Sequence, residues 1–281
     1  MTIATTPRLW GRYVAVGDSL SEGLEDARPD GTYRGWADRL AEQLAGRAYD
    51  EGRSFEYANL AVRGRLMADI AVRQVDEALE LDPDLVSIWG GGNDCLRPRA
   101  DIDAVSALLE DAVRRVRATG ADVLMSTTTY VKGAPLVSLA HAKAAELTAN
   151  IYTIAAKHDC YVTDVWGLRA LRDWRMWADD RIHMSALGHR LVAKRAYAAL
   201  GFPVGAGVFD PLPRQPSVPL ADQARGHAVW ARTYLAPWVV RRIRGTSTGD
   251  TLNGKRRVPA RFDSAQADGT RADAGVRPSV G

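Results

Sequence analysis

Apolar positions along the chain alternate between two rhythms. Short continuous runs occur at residues 13–16 (YVAV), 55–62 (FEYANLAV), 84–94 (DLVSIWGGGND), 122–129 (DVLMSTTT) and 160–166 (CYVTDVW). Most are opened or flanked by Gly, Pro or Asp, as strands buried on both faces are. Between them the apolar spacing changes to three and four. Trp36, Leu40 and Leu44 mark one helix face, and residues 66–81 form a second helix stopped by Pro83. Residues 102–118 carry Val105, Leu108, Leu109, Ala112, Val113 and Val116 and end before Gly120, a helix C-terminal signal. Residues 139–158 and 185–200 complete the set, the last with Ser185 as N-cap. Strands alternating with helices predict right-handed crossovers and a mainly parallel sheet covered on both faces. In such a sheet ligands bind at the carboxyl ends of the strands.

Past Gly201 the pattern changes. A proline-rich stretch is followed by residues 223–245, which read as a basic amphipathic helix with a kink at Pro237. Trp230, Tyr234, Leu235, Trp238, Val239 and Ile243 alternate there with Arg225, Arg232, Arg241, Arg242 and Arg244. From residue 246 on, polar residues and glycine predict disorder. The division expected is a body at 1–203, a proline-rich segment and helix at 204–245, and a tail at 246–281.

Charge sharpens that division. Residues 241–281 hold nine Lys or Arg against four Asp or Glu, so the rest of the chain carries −2 of the overall +3. A basic segment with tryptophans either lies against an anionic membrane surface or docks on the body. No motif supports nucleic-acid binding. Cys95 and Cys160 have neither disulfide-framework nor metal-ligand spacing and read as buried free thiols. With no secretory signal and no run of about 18 apolar residues, a cytoplasmic protein is expected.

Four polar clusters fall at the predicted carboxyl rim. In "GDSLSEG", Ser19 is either a nucleophile on a tight turn or an N-cap. In "NLAVRG", Gly64 offers a backbone N–H. In "GGND", Asn93 offers a side-chain donor suited to an oxyanion, or simply makes a turn. In "DDRIHMS", Asp180 and His183 are three apart, so a carboxylate can orient an imidazole. The other histidines, His141, His158, His189 and His227, lie in helical patterns. No Gly-x-Gly-x-x-Gly and no Walker lysine is present, which disfavours nucleotide binding.

Taken in order, these motifs resemble the SGNH/GDSL hydrolases, a family of serine esterases and lipases, over about residues 13–200. The resemblance implies a flavodoxin-like three-layer α/β/α sandwich with a five-stranded parallel sheet. It implies Ser19 as nucleophile, His183 as base and Asp180 as its orienting acid. Ser19, Gly64 and Asn93 would form the oxyanion hole, and neither a metal nor an organic cofactor is required. Asp18 is the motif's acid, with a structural role expected. Arg63 departs from the small residue many members carry; it points out of the site or into it, where it would favour an anionic substrate. The implied reaction is hydrolysis of a small acyl ester, an acylated sugar or a lipid. The alternatives are an acyltransferase using the same residues with an alcohol acceptor, and a non-catalytic membrane-associated binding protein. Pocket walls are expected from residues 24–33, 96–99, 130–137 and 166–177. The aromatics of the last stretch either line an acyl pocket or pack the final helix.

Overall fold

The computed structural model describes residues 7–130, 140–213, 219–237 and 248–261. Five parallel strands form the sheet: β1 (Arg12–Gly17), β2 (Glu56–Asn59), β3 (Leu85–Trp89), β4 (Asp122–Ser126) and β5 (Tyr161–Thr163). A sixth, β6 (Arg256–Arg261), adds antiparallel to β2, and the order across the sheet is β5-β4-β3-β1-β2-β6. The expected five-stranded sheet is thus corrected to six. The extra strand comes from the segment in which composition predicts disorder. Its side chains mostly face solvent, so no apolar period marks it; the strand is specified by pairing with an exposed edge. Arg256, Arg257, Pro259 and Arg261 then cover that edge with charge and a missing donor.

The sheet is buried on both faces, yet its side chains still divide by the period of two. Tyr13 and Ala15 of β1 join Trp36, Leu40 and Leu44 of α2 (Gly35–Asp50) and Val192 and Ala196 of α8 (Ala186–Ala199). Val14 and Val16 face the opposite layer. That layer contains Ile70, Val75, Leu109 and Val113, together with Leu147 and Ile151 of α7 (His141–His158). Three layers result. The predicted helix at 66–81 is built from α3 (Met67–Asp69), a π-turn (Ile70–Gln74) and α4 (Val75–Leu79). The predicted helix at 102–118 is α6 (Ile102–Ala118).

Strand order reverses between β1 and β3, a switch point where a crevice opens beyond the strand ends. The chain leaves β1 into α1 (Ser19–Glu22) and β3 into α5 (Gly92–Cys95). Beyond the body, α9 (Leu220–Trp230) runs into a second π-turn, Ala231–Leu235. The expected kink region at Pro237, with Trp238, Val239 and the arginines after it, extends outside the described residues. No helix among the described residues is long and apolar enough to cross a membrane.

Candidate functional site

Gly17 sets the turn that presents Ser19. It sits at φ +151°, and a Cβ there would lie 2.3 Å from the Trp89 carbonyl and 2.7 Å from Ser21 Oγ. Only glycine fits. Gln74 grips the same residue twice: its Oε1 accepts from Gly17 N at 2.7 Å and its Nε2 donates to Gly17 O at 3.0 Å. Gln74 lies in the π-turn, whose extra residue re-aims side chains, as such turns do beside functional sites. Sequence periodicity gives no hint of this clamp.

The helix cap at this turn is Asp18. Its Oδ1 accepts from Leu20 N at 3.1 Å, so capping falls to the aspartate and leaves the Ser19 hydroxyl outside that bond. Burial pushes the Asp18 carboxyl up from 3.8 to about 6, against the backbone bond from Leu20 and the charge of His183, both of which favour the anion.

Asn93 stands on α5, just past Gly91 in the left-handed conformation at φ +87°. Its Nδ2 donates to Arg65 O at 3.1 Å and to Asp18 Oδ2 at 3.3 Å. Neighbouring Asp94 accepts from Met67 N at 3.0 Å, fixing α5 against α3. Gly64 is exposed, at φ +77°. Arg63 turns to the Glu22 carboxylate and over the Tyr33 ring, 5.4 Å from its centroid. The charge that would suit an anionic substrate is thereby neutralised.

Asp180 and His183 meet in a tight loop closed by a bridge between Trp177 and Met184. Asp180 Oδ1 accepts from the backbone N–H groups of Ile182 and His183 at 2.9 and 3.0 Å. Its Oδ2 pairs with His183 Nδ1 at 2.6 Å. Burial opposes the Asp180 charge, but these bonds and the imidazole outweigh it, and the carboxyl is held below its ordinary value. A carboxylate on Nδ1 leaves Nε2 as the acceptor in the neutral ring. Ser185, as expected, caps the helix that begins at Ala186, accepting from Gly188 N.

Ser19 and Asn93 line a cavity of about 100 Å³ with Asp18, Leu20, Trp89, Leu96, Thr128, Trp177, Arg181 and Ile182. Gly64, Asp180 and His183 are not among its lining residues; the loop that carries the last two contributes Arg181 and Ile182. Of the apolar residues at 166–177, Leu168, Leu171, Met176 and Trp177 belong to the core, and Trp177 also lines the cavity. Trp166 stacks on His141. The wall expected from residues 130–137 lies outside the described residues beyond Tyr130. Trp89, Thr128 and Arg181 are lining residues that sequence reasoning missed; nothing in their spacing marks them. Cys95 lines the cavity as a free thiol that burial pushes up to about 12, and Cys160 is free and half-buried. His189 is buried and structural: it accepts from Trp36 N and bonds Leu24 O, and desolvation pulls it below its ordinary value. Among the described residues no cluster of His, Cys, Asp and Glu would hold a metal ion.

A model of the GDSL-like lipase/acylhydrolase family matches residues 15–191. A search of curated proteins returns no match. Among solved structures, an alpha/beta hydrolase enzyme from the metagenome of Lake Arreo, Spain, is 23% identical, with TM-score 0.57, over 68% of this chain and 95% of that one. The acetylxylan esterase Axe2 from Geobacillus stearothermophilus is 20% identical, with TM-score 0.58, over 69% and 95%. TesA is 23% identical, with TM-score 0.53, over 67% and 97%. At these identities the likeness speaks for the fold. Catalytic mutants of Axe2 replace a serine, a histidine and an aspartate, the aspartate three places before the histidine.

Proposed function

Because the chain belongs to the GDSL-like lipase/acylhydrolase family and is a carboxylic ester hydrolase, we propose that Ser19 is its nucleophile, His183 its base and Asp180 the acid that orients the base. The observation that carries this reading is the 2.6 Å bond from His183 Nδ1 to an Asp180 carboxylate already fixed by two backbone amides. The Axe2 mutants support it by the residue types replaced and by the same three-residue spacing.

Ser19 Oγ bonds to the acyl carbon as its proton passes to His183 Nε2. The carbonyl electrons move to oxygen, and the oxyanion meets the N–H groups of Ser19 and Gly64 and the Asn93 amide. Of the Asn93 bonds, the longer one to Asp18 is the one the oxyanion replaces. The C–O bond to the alcohol then breaks, and the alcohol leaves with the proton from His183. Water repeats both steps on the acyl-enzyme and frees the acid.

The cavity of about 100 Å³ is smaller than the roughly 150 Å³ apolar cavity that holds benzene. A short acyl group such as acetyl fits it better than a fatty chain. The test is Ser19→Ala on p-nitrophenyl acetate: activity retained in that variant overturns the assignment. A series from acetyl to palmitoyl esters should show kcat/KM falling with chain length.

A further inference from the structure

We propose that the C-terminal segment, beyond the family-matched residues 15–191, completes the catalytic half-site, with Trp230 as the positioning residue for Asp180 and His183. The inference rests on the Asp180–His183 assignment above.

Trp230 ends α9 and is 6% exposed. Its Nε1–H donates to the Asp180 carbonyl at 2.8 Å. The next residue after Asp180, Arg181, is held in the left-handed conformation at φ +57°. Its guanidinium lies 5.3 Å from the Trp230 ring and 5.4 Å from the Trp174 ring, and its NH1 is 2.8 Å from His227 Nδ1. An arginine clasped between two indoles gains from both ring faces. Asp180 is therefore anchored at both ends. Its carboxylate holds His183, while its peptide is held by an indole from another part of the chain. Rotating that peptide would swing the carboxylate and the imidazole with it.

Residues 248–255 hold two more of the site's loops. Gly249 O accepts from Arg65 at 3.2 Å, and a Cβ at Gly249 would sit 2.1 Å from Arg63 O. The Arg65 carbonyl is the one that Asn93 binds. Lys255 reaches Glu22 O, at the end of the short helix that Ser19 begins. The segment outside the family match thus touches three of the four loops that carry the candidate residues, those of Ser19, Gly64 and the Asp180–His183 pair, and reaches the fourth through the Arg65 carbonyl that Asn93 binds. A loop of this length set by its own bonds alone would tolerate ångström-scale drift, which is enough to cost a large part of a rate.

The test uses the full chain with Trp230→Phe, which keeps an aromatic ring against Arg181 and removes the N–H together with part of the buried indole. The expected result is a kcat for p-nitrophenyl acetate lowered about tenfold, with KM within twofold, beside a fall in Tm from the lost indole volume and hydrogen bond. The far-downfield proton resonance of the His183 Nδ1–Asp180 bond should shift or broaden. Arg181→Gly, which keeps the left-handed turn but empties the clasp, should move that resonance in the same way, and serves where Trp230→Phe does not fold. An unchanged kcat and resonance, or a fall in Tm alone, overturns the proposal. Activity surviving in Ser19→Ala would instead overturn the catalytic assignment, and the resonance still decides whether Trp230 positions the pair.

Discussion

Replacing Asp18 with asparagine tests the electrostatics beside Ser19. Asp18 is 4% exposed, so little solvent screening dilutes its desolvation. Its carboxyl is pushed from 3.8 up to about 6. At about 1.36 kcal/mol per pH unit, that gap corresponds to roughly 3 kcal/mol by which the buried anion destabilises the fold. The sign comes from proton uptake. The native state holds the proton more tightly than the unfolded chain, so stability rises as pH falls through 6 and is fully gained below 3.8. At pH 7.5 the whole penalty is present; at pH 4.5 about 1 kcal/mol remains. Asp18→Asn removes the ionisation. Its Oδ1 still accepts from Leu20 N, while the contact with Asn93 turns donor against donor, a loss that is nearly equal at both pH values. The variant-minus-wild-type unfolding free energy should therefore be about 2 kcal/mol more favourable to the variant at pH 7.5 than at pH 4.5. Urea titrations followed by tryptophan fluorescence at the two pH values measure it. A difference flat to within roughly 0.5 kcal/mol would refute the reasoning, whatever the absolute stabilities.

Asn93→Ala should lower kcat about 10²–10³-fold, because the amide meets charge that develops in the transition state, and should also lower Tm, because the same amide donates to Arg65 O and to buried Asp18 in the resting fold; steady-state kinetics and calorimetry separate the two effects. Lys255→Met strands Asp38, whose carboxyl is 2.5 Å from Lys255 Nζ and 6% exposed. Breaking such a buried pair costs about 3–5 kcal/mol. Burial already holds the Asp38 carboxyl above its ordinary value; losing the lysine raises it further, so the loss should be larger at pH 8 than at pH 5, as urea titrations at the two pH values would report. Gly17→Ala should abolish labelling of Ser19 by a fluorophosphonate, because the added carbon meets the Trp89 carbonyl at 2.3 Å and the turn must open. Normal labelling in that variant would show that the turn is not what presents Ser19.

The layers of this fold were legible because each element carries its own period. Runs ending in glycine and polar residues marked β1, β3 and β4, and the i, i+3, i+4 spacing of Val105, Leu109, Ala112 and Val116 marked α6. Boundaries were less legible. Residues 84–94 read as one strand, but the ladder ends at Trp89, and Gly92–Cys95 turn into a helix that carries Asn93. Glycine marks a change of direction but does not specify the element on its far side. Ser19, Asn93, Asp180 and His183 stood out because they fall in short polar motifs at the ends of apolar runs or helices, where their types are few.

The information carried by the chain before folding was therefore local: periods, turns, an Asp-x-x-His spacing, and the order of motifs along one rim. Three features arose only when distant segments met. Asp18, and not Ser19, supplies the side-chain cap, and its second oxygen is engaged by Asn93, far along the chain. Gln74 holds Gly17, because a π-turn rotates one side chain out of the helical register. The last described residues became an edge strand and a loop anchor, because β2 offered unpaired backbone to Arg256–Arg261 and the loops at Glu22 and Arg65 offered partners to Lys255 and Gly249. Each depends on a partner remote in sequence, and a hydrogen-bond donor with no apolar period leaves no trace in the pattern that precedes folding.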